Sequence, residues 1–411
     1  MHLRSLDITG SINIVPKGIG ELTNLRSLIG FPVHVDMDDA GNAWCSLQEL
    51  APLSQLRKLA IYGLEKVSSW MAEKAMISTK SHLSYLQLNY NNTNEHTAGP
   101  CGEAEQQKQQ QSVMEKVLEK LRPPTCLENL VMAGGYVGRQ LPNWISASAS
   151  AADFKSLRYL KLVNLPCCTQ LSDGLCCLPS LEVLTINDAP NIKCVGREFQ
   201  APSSLVPRDS AVALAPFPKL NTLQLTGLPK CKIWEWNECE EQGAVKATMA
   251  MPCLEVLKID NSKLSFLPPR LANSNRHALI VLLLYELTNL AVVENFPWVV
   301  KLDVFDCPEL KTISGLSRLQ KIRLVRCPNL LVLEGVPALD SMVLSDGRME
   351  ALPNYLSDVN PRYLKLKCSK KLHKSLSSAA GITTEEELLL ASLLADARPF
   401  LRGDLAKVHG P

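Results

Sequence analysis

The chain has 411 residues, of which 46% are hydrophobic and only 5% aromatic, and its 43 lysines and arginines nearly balance its 41 acidic residues, for a net charge of +2. So small a net charge argues against general binding to polyanions, and we expect no nucleic-acid partner. We also expect no secretory signal and no membrane span, because the first residues hold no long apolar run and the most apolar stretch, from Ala278, contains Glu286.

A short phrase with aliphatic residues at its first, fourth and sixth positions recurs along the chain. From Leu254 onward successive phrases begin 25, 20, 20, 20 and 22 residues apart, and earlier intervals lie between 22 and 44. Random placement of leucines would not give this regularity. In chain order the phrases start at Leu3, Leu25, Leu56, Leu83, Leu127, Leu157, Leu181, Leu220, Leu254, Leu279, Val299, Leu319, Leu339 and, with a poorer match, Pro361.

Within each phrase the aliphatic residues are first three positions apart and then two. The two-residue spacing indicates a short strand with alternating apolar positions. One such unit cannot bury its apolar face alone, but stacked units can, at roughly 1.5–3 kcal/mol for each fully buried leucine or isoleucine. The pattern therefore predicts an α/β repeat solenoid, a leucine-rich repeat horseshoe, with a parallel sheet on the concave face and irregular loops or short helices on the convex face. We expect about 14 repeats within residues 1–370.

Two segments interrupt or end the repeats. Residues 89–111 are polar and Gln-rich, so they are predicted to form a loop, followed by a short amphipathic helix over residues 112–124. Residues 371–411 are predicted to be a C-terminal cap or a divergent tail, and the capping box of Thr384 and Glu387 favours a helix there.

The motifs of common enzymes are missing from the sequence. It contains no phosphate-binding loop, dinucleotide-binding turn, H-E-x-x-H helix or nucleophile elbow, so we predict no catalytic or cofactor-binding residues. The 14 cysteines lack C-x-x-C spacing. Cys307 and Cys327 each follow a strand phrase by three residues, where a small structural side chain is expected, and a zinc site is the alternative.

Several phrases resemble the C-terminal repeat domain of plant nucleotide-binding disease-resistance proteins, especially the coiled-coil type of cereals. Together they cover roughly residues 3–367, whereas the tail beyond Lys367 matches no pattern of that family. Asp306-Cys307 also stands in place of the asparagine corner used in many extracellular repeats. The matching phrases are VPKGIGELTNLRSLIGF (15–31), VLEKLRPPTCLENLVMAGGYVGRQLPNWI (117–145), LPSLEVLTINDAPNIKCVGREF (178–199) and FPKLNTLQLTGLPKCKIWEW (217–236).

The resemblance implies a non-catalytic recognition module in plant innate immunity, located in the cytoplasm or in both nucleus and cytoplasm. Its implied partners are a pathogen effector or a modified host protein, and a nucleotide-binding switch domain in cis or in trans. In that family the ADP/ATP site lies in a domain upstream of the repeats, so no cofactor is expected in the repeats themselves.

The candidate binding residues are outward positions of the strand phrases, where side chains would face the concave surface. Tyrosine and arginine are favoured because they tend to dominate interface energetics. The candidates are Tyr62, Tyr85, Tyr159, Lys161, Lys258, Lys301, Phe305, Lys321, Arg323, Tyr363 and Lys365.

Two alternative functions are compatible with a repeat solenoid. One is a stand-alone adaptor, including a substrate adaptor for a ubiquitin ligase, although the 37 residues before Leu127 are too polar for an F-box-like segment. The other is a decoy fragment that competes with full-length receptors for their ligands.

The repeat interpretation makes a prediction about stability. Leu184→Asp would place an uncompensated charge in the core and should unfold the neighbouring repeats, a loss of several kcal/mol. Gln107→Asp, in the polar segment, should leave the thermal melting curve unchanged. Equal sensitivity of the melting temperature to both substitutions would contradict the solenoid.

Overall fold

A computed structural model describes most of the chain, including nearly all of the strand phrases. The described residues are 2–9, 15, 17–33, 45–90, 105–145, 154–172, 174–196, 199, 215–234, 251–268, 271 and 278–380.

Short strands dominate the described residues. In chain order they are β1 (Ser5–Asp7), β2 (Ser27–Pro32), β3 (Lys58–Tyr62), β4 (Tyr85–Asn89), β5 (Asn129–Ala133), β6 (Tyr159–Val163), β7 (Val183–Asn187), β8 (Cys194–Val195), β9 (Thr222–Leu228), β10 (Ile233–Trp234), β11 (Val256–Ser262), β12 (Val281–Leu287), β13 (Val292–Glu294), β14 (Lys301–Phe305), β15 (Thr312–Ser314), β16 (Lys321–Val325), β17 (Val332–Glu334), β18 (Ser341–Ser345) and β19 (Tyr363–Lys367).

Fourteen of the described strands form one parallel sheet in the order β1-β2-β3-β4-β5-β6-β7-β9-β11-β12-β14-β16-β18-β19. Each lies on one of the strand phrases, so the predicted fold class, a leucine-rich repeat solenoid, is confirmed. The phrase at Pro361 also forms a strand, β19. Its Leu364 is nevertheless 45% exposed, because β19 is the last strand of the sheet.

The core is a continuous column of aliphatic side chains. In the repeat that begins at Leu181, the first, fourth and sixth phrase positions, Leu181, Leu184 and Ile186, are each 0% exposed. The alternation is clear in β16, where Ile322 and Leu324 are buried. The residues between them face the opposite side of the sheet, as period two requires.

The return segments are more varied than the strands. They contain two small parallel sheets, β8-β10 and β13-β15-β17, together with α1 (Ser69–Lys74), α2 (Glu105–Lys120) and, after the last strand, α3 (Lys370–Ala380). Single turns of 3-10 helix occur at Ile19–Glu21, Leu47–Leu50, Leu64–Lys66, Ile77–Thr79, Asn143–Ile145, Leu175–Cys177 and Asn354–Ser357.

The Gln-rich segment contains a helix that the sequence analysis missed. Helix α2 begins at Glu105, not at Ser112, so the loop prediction is wrong for residues 105–111, while residues 91–104 lie outside the described part. Glutamine and glutamate are good helix formers, and tertiary contacts add to that preference. Gln111 is buried, and its Oε1 accepts a hydrogen bond from Arg139 Nε at 3.2 Å.

Cys307 and Cys327 occupy the inner corner that follows their strands. The Cys307 thiol donates to the Phe305 carbonyl (3.4 Å), and the Cys327 thiol donates to the Val325 carbonyl (3.5 Å). Burial raises the pKa of Cys307 to about 12 and that of Cys327 to about 11. Both thiols therefore stay protonated at neutral pH, and each contacts a carbonyl oxygen of the strand that precedes it.

The chain end is described only in part. Helix α3 has Ser369 at its N-terminus, where Oγ accepts a hydrogen bond from the Leu372 amide at 3.2 Å, and Leu372 is buried. Residues 381–411, with the predicted capping box of Thr384 and Glu387, lie outside the described residues. The domain boundary at residue 370 stays a prediction.

The close stacking of repeats makes Gly134 a sensitive position. Its φ is +89°, and a Cβ added there would lie 2.0 Å from the Tyr90 carbonyl oxygen. Gly134→Ala should lower the free energy of unfolding by at least about 1–3 kcal/mol, measured by chemical denaturation. The matched control is Gly347→Ala, whose Cβ would have nothing within 4 Å. Similar losses in both variants would contradict this packing.

A buried lysine joins the return segments of two repeats. Lys80 is 1% exposed, and its Nζ donates to the carbonyl oxygens of Leu50 (2.6 Å) and Leu53 (3.2 Å). Burial lowers the pKa of Lys80 from 10.5 to about 8. The folded state thus releases the lysine proton at a lower pH than the unfolded state does.

This pKa difference predicts a pH dependence. Between pH 8 and 10.5 the unfolded chain binds more protons at Lys80 than the folded chain, so the contribution of Lys80 to stability rises with pH across that window. Relative to Lys80→Met, the wild type should gain unfolding free energy from pH 8 to 10.5, as followed by urea denaturation. A constant difference between the two proteins would show that the lysine is not desolvated.

Candidate functional site

The outward residues of the main sheet form its concave face. All eleven candidates from the sequence lie on strands of this sheet, at positions that alternate with the core, and none of them is buried. The structure therefore places them where a ligand could reach them. Whether they bind a ligand stays a prediction.

The candidates in the first half of the sheet lie apart from those in the second half. Tyr62 is on β3, Tyr85 on β4, and Tyr159 and Lys161 on β6. The Tyr85 hydroxyl donates to Gln87 Oε1 at 2.6 Å. These residues form no cluster with the remaining seven candidates, because β7 and β9 separate them from β11.

Four side chains from the adjacent strands β11, β12, β14 and β16 meet in the C-terminal half of the concave face. The rings of Tyr285 and Phe305 pack edge to face, with centroids 4.9 Å apart. Lys258 Nζ lies 5.2 Å from the centroid of the Tyr285 ring, and Arg323 Cζ lies 5.9 Å from that of Phe305. We call these four residues the aromatic–cation cluster. Three of them, Lys258, Phe305 and Arg323, were predicted from the sequence.

Two carboxylates neutralise part of the positive charge around the cluster. Lys258 Nζ is 3.2 Å from Asp260 Oδ2, and Lys301 Nζ is 3.2 Å from Asp303 Oδ2. Asp303 is only 5% exposed. Burial raises the pKa of Asp260 and, more strongly, that of Tyr285, so the tyrosine hydroxyl stays neutral. The cluster is thus partly desolvated before any ligand arrives.

Sequence reasoning missed Tyr285, Asp260 and Asp303. The run LIVLLLYEL (279–287) hides the alternation, because outward Leu283 is as apolar as the core residues beside it. Alignment of the phrases would have revealed Tyr285, since it occupies the same position of its phrase as Phe305 and pairs with it in the sheet.

The remaining candidates lie toward the last strand. Lys321 is on β16, and Tyr363 and Lys365 are on β19, with β18 between these strands. The register pairs Lys301 with Lys321, so these two predicted lysines are neighbours.

Within the described residues no group of three or more His, Cys, Asp or Glu residues could hold a metal ion, and no helix there is long and apolar enough to cross a lipid bilayer. Eleven described cysteines are free thiols, while Cys167 is disulfide-bonded.

The fold and its concave face define a leucine-rich repeat solenoid, a class that generally serves as a non-enzymatic scaffold for protein binding. In a comparison with family models, residues 47–189 match the family described as R13L1/DRL21 LRRs. The comparison with curated proteins gives no significant match.

Among solved structures, the chain is similar to the following three at low identity. The leucine-rich repeat domain of the type III effector XopL is 20% identical over 61% of this chain and 71% of that one, with a TM-score of 0.38. The Leptospira interrogans protein LIC12759 is 15% identical over 92% and 97%, with a TM-score of 0.43. TLR13, in its complex with ssRNA13, is 14% identical over 88% and 55%, with a TM-score of 0.35.

Proposed function

We propose that this chain is a non-catalytic recognition module of plant innate immunity, which senses a pathogen effector or a modified host protein through its concave face. The observation that carries the proposal is the aromatic–cation cluster. An aromatic pair between two cations on the open face of the sheet is the kind of surface that dominates protein–protein binding energy.

Partial desolvation of the cluster supports this role. The two carboxylates beside it keep their lysines in place, and the rings of Tyr285 and Phe305 hold each other in one arrangement. A preorganised surface loses little side-chain entropy when a partner binds.

The immune role is supported by the sequence. The family model that matches residues 47–189 describes repeats of the plant nucleotide-binding receptor type, and the phrases that resemble this type extend well beyond that range. In this proposal a nucleotide-binding switch domain, in cis or in trans, reads the occupancy of the concave face. The repeats need no cofactor of their own for that task.

The test begins with a partner identified by pull-down from plant extract or by pairwise screening against candidate effectors. Tyr285→Ala combined with Phe305→Ala should weaken binding of that partner about tenfold or more, because each truncation removes a central anchor. Isothermal titration calorimetry with purified proteins gives the affinity, and a melting curve shows whether the fold is intact.

The control is Trp70→Ala, on helix α1 of a return segment. Trp70 is 57% exposed, so this variant removes an aromatic surface of similar size outside the concave sheet. We expect the control to bind like the wild type. If Trp70→Ala abolishes binding of the partner and the double variant retains it, the binding site lies outside the concave sheet and the proposal is wrong.

A further inference from the structure

A trough runs along β18 at the C-terminal end of the concave face. The outward residues of β18 are small, while those of the neighbouring β16 and β19 are mostly long. The register defines three rows across the trough, Lys321–Ser341–Tyr363, Arg323–Val343–Lys365 and Val325–Ser345–Lys367.

The dimensions of the trough suit one extended polypeptide. Neighbouring strands lie about 4.8 Å apart, so the backbones of the two walls are about 10 Å apart, with the small side chains of β18 as the floor. Along each wall the cations are two residues apart, a separation of about 6.6 Å. Alternate side chains of an extended peptide repeat at the same distance.

Both walls carry positive charge. Lys321 and Arg323 are on one wall, and Lys365 and Lys367 are on the other. None of these four forms an ion pair with another residue of the described chain, in contrast to Lys301, which pairs with Asp303. Like charges gathered on one face of a sheet repel each other, although Arg323 also contacts the Phe305 ring and lies opposite Asp303 in the register.

We propose that the trough binds an acidic, extended segment of a protein partner. The segment runs along β18, and its alternate aspartate or glutamate side chains point to the two walls and form charge-assisted hydrogen bonds with the four cations. The hydroxyls of Ser341 and Ser345 supply neutral donors on the floor. This inference rests on the proposed function, because it assigns the chemistry of a ligand to the same concave face.

The experiment uses a fluorescein-labelled peptide of ten glutamates as the probe and fluorescence anisotropy as the readout. The wild-type chain should bind it more tightly than it binds a peptide of ten glutamines, and added salt should weaken binding because the charges are solvent-accessible. Lys321→Gln with Arg323→Gln, and separately Lys365→Gln with Lys367→Gln, should each weaken binding about three- to tenfold.

Two further variants make the test specific. Lys58→Gln with Lys311→Gln removes one outward cation from β3 and one exposed cation next to β15 in a return segment, and should leave the affinity unchanged. Val343→Trp fills the floor of the trough without changing the charge and should abolish binding. Melting curves of all variants confirm that the sheet is folded.

The proposal is wrong if the glutamate and glutamine peptides bind with equal affinity, or if Lys58→Gln with Lys311→Gln weakens binding as much as removal of the wall cations does. Either result would leave the proposed function intact, provided that a partner still depends on Tyr285 and Phe305. Conversely, a partner whose binding is unchanged by Tyr285→Ala with Phe305→Ala would overturn the proposed function. The affinity for the glutamate peptide would then still decide the proposal about the trough.

Discussion

The in-register parallel pairing of short strands is the constraint on which this molecule depends. Each strand alternates between core and surface, so a shift of one residue would turn a row of leucines to the solvent. The first, fourth and sixth phrase positions prevent that shift, because burial of Leu181, Leu184 and Ile186 is possible in only one register. Backbone pairing and aliphatic burial therefore specify the same arrangement.

The parallel register also determines which outward side chains become neighbours on the sheet. Equivalent positions of successive repeats lie side by side, although they are 20 to 44 residues apart in the chain. Tyr285 and Phe305 meet for this reason, as do Lys301 and Lys321. A solenoid therefore assembles a binding surface from single residues of many repeats. A substitution in one repeat changes only one side chain in a row that crosses the sheet.

Polar side chains connect the repeats where their lengths differ. Glu49 accepts hydrogen bonds from the amides of Gly18 (3.0 Å) and Gly20 (2.8 Å), and Trp144 Nε1 donates to the Leu118 carbonyl at 3.1 Å. Irregular return segments leave backbone groups that no strand satisfies, and an unsatisfied buried group costs about 1–3 kcal/mol. The neighbouring repeat supplies the missing partner, which allows insertions without loss of the stack.

The sequence by itself determined the fold class, the positions of the strands and the faces of their residues, because these follow from aliphatic spacing that is local to each phrase. It also identified Lys258, Phe305 and Arg323 as outward residues. Only the tertiary structure decided that these three meet Tyr285, that Asp260 and Asp303 neutralise two lysines, and that helix α2 begins at Glu105. Such contacts depend on which repeats are neighbours and on the return segments between them, and spacing within a single phrase holds no information about either.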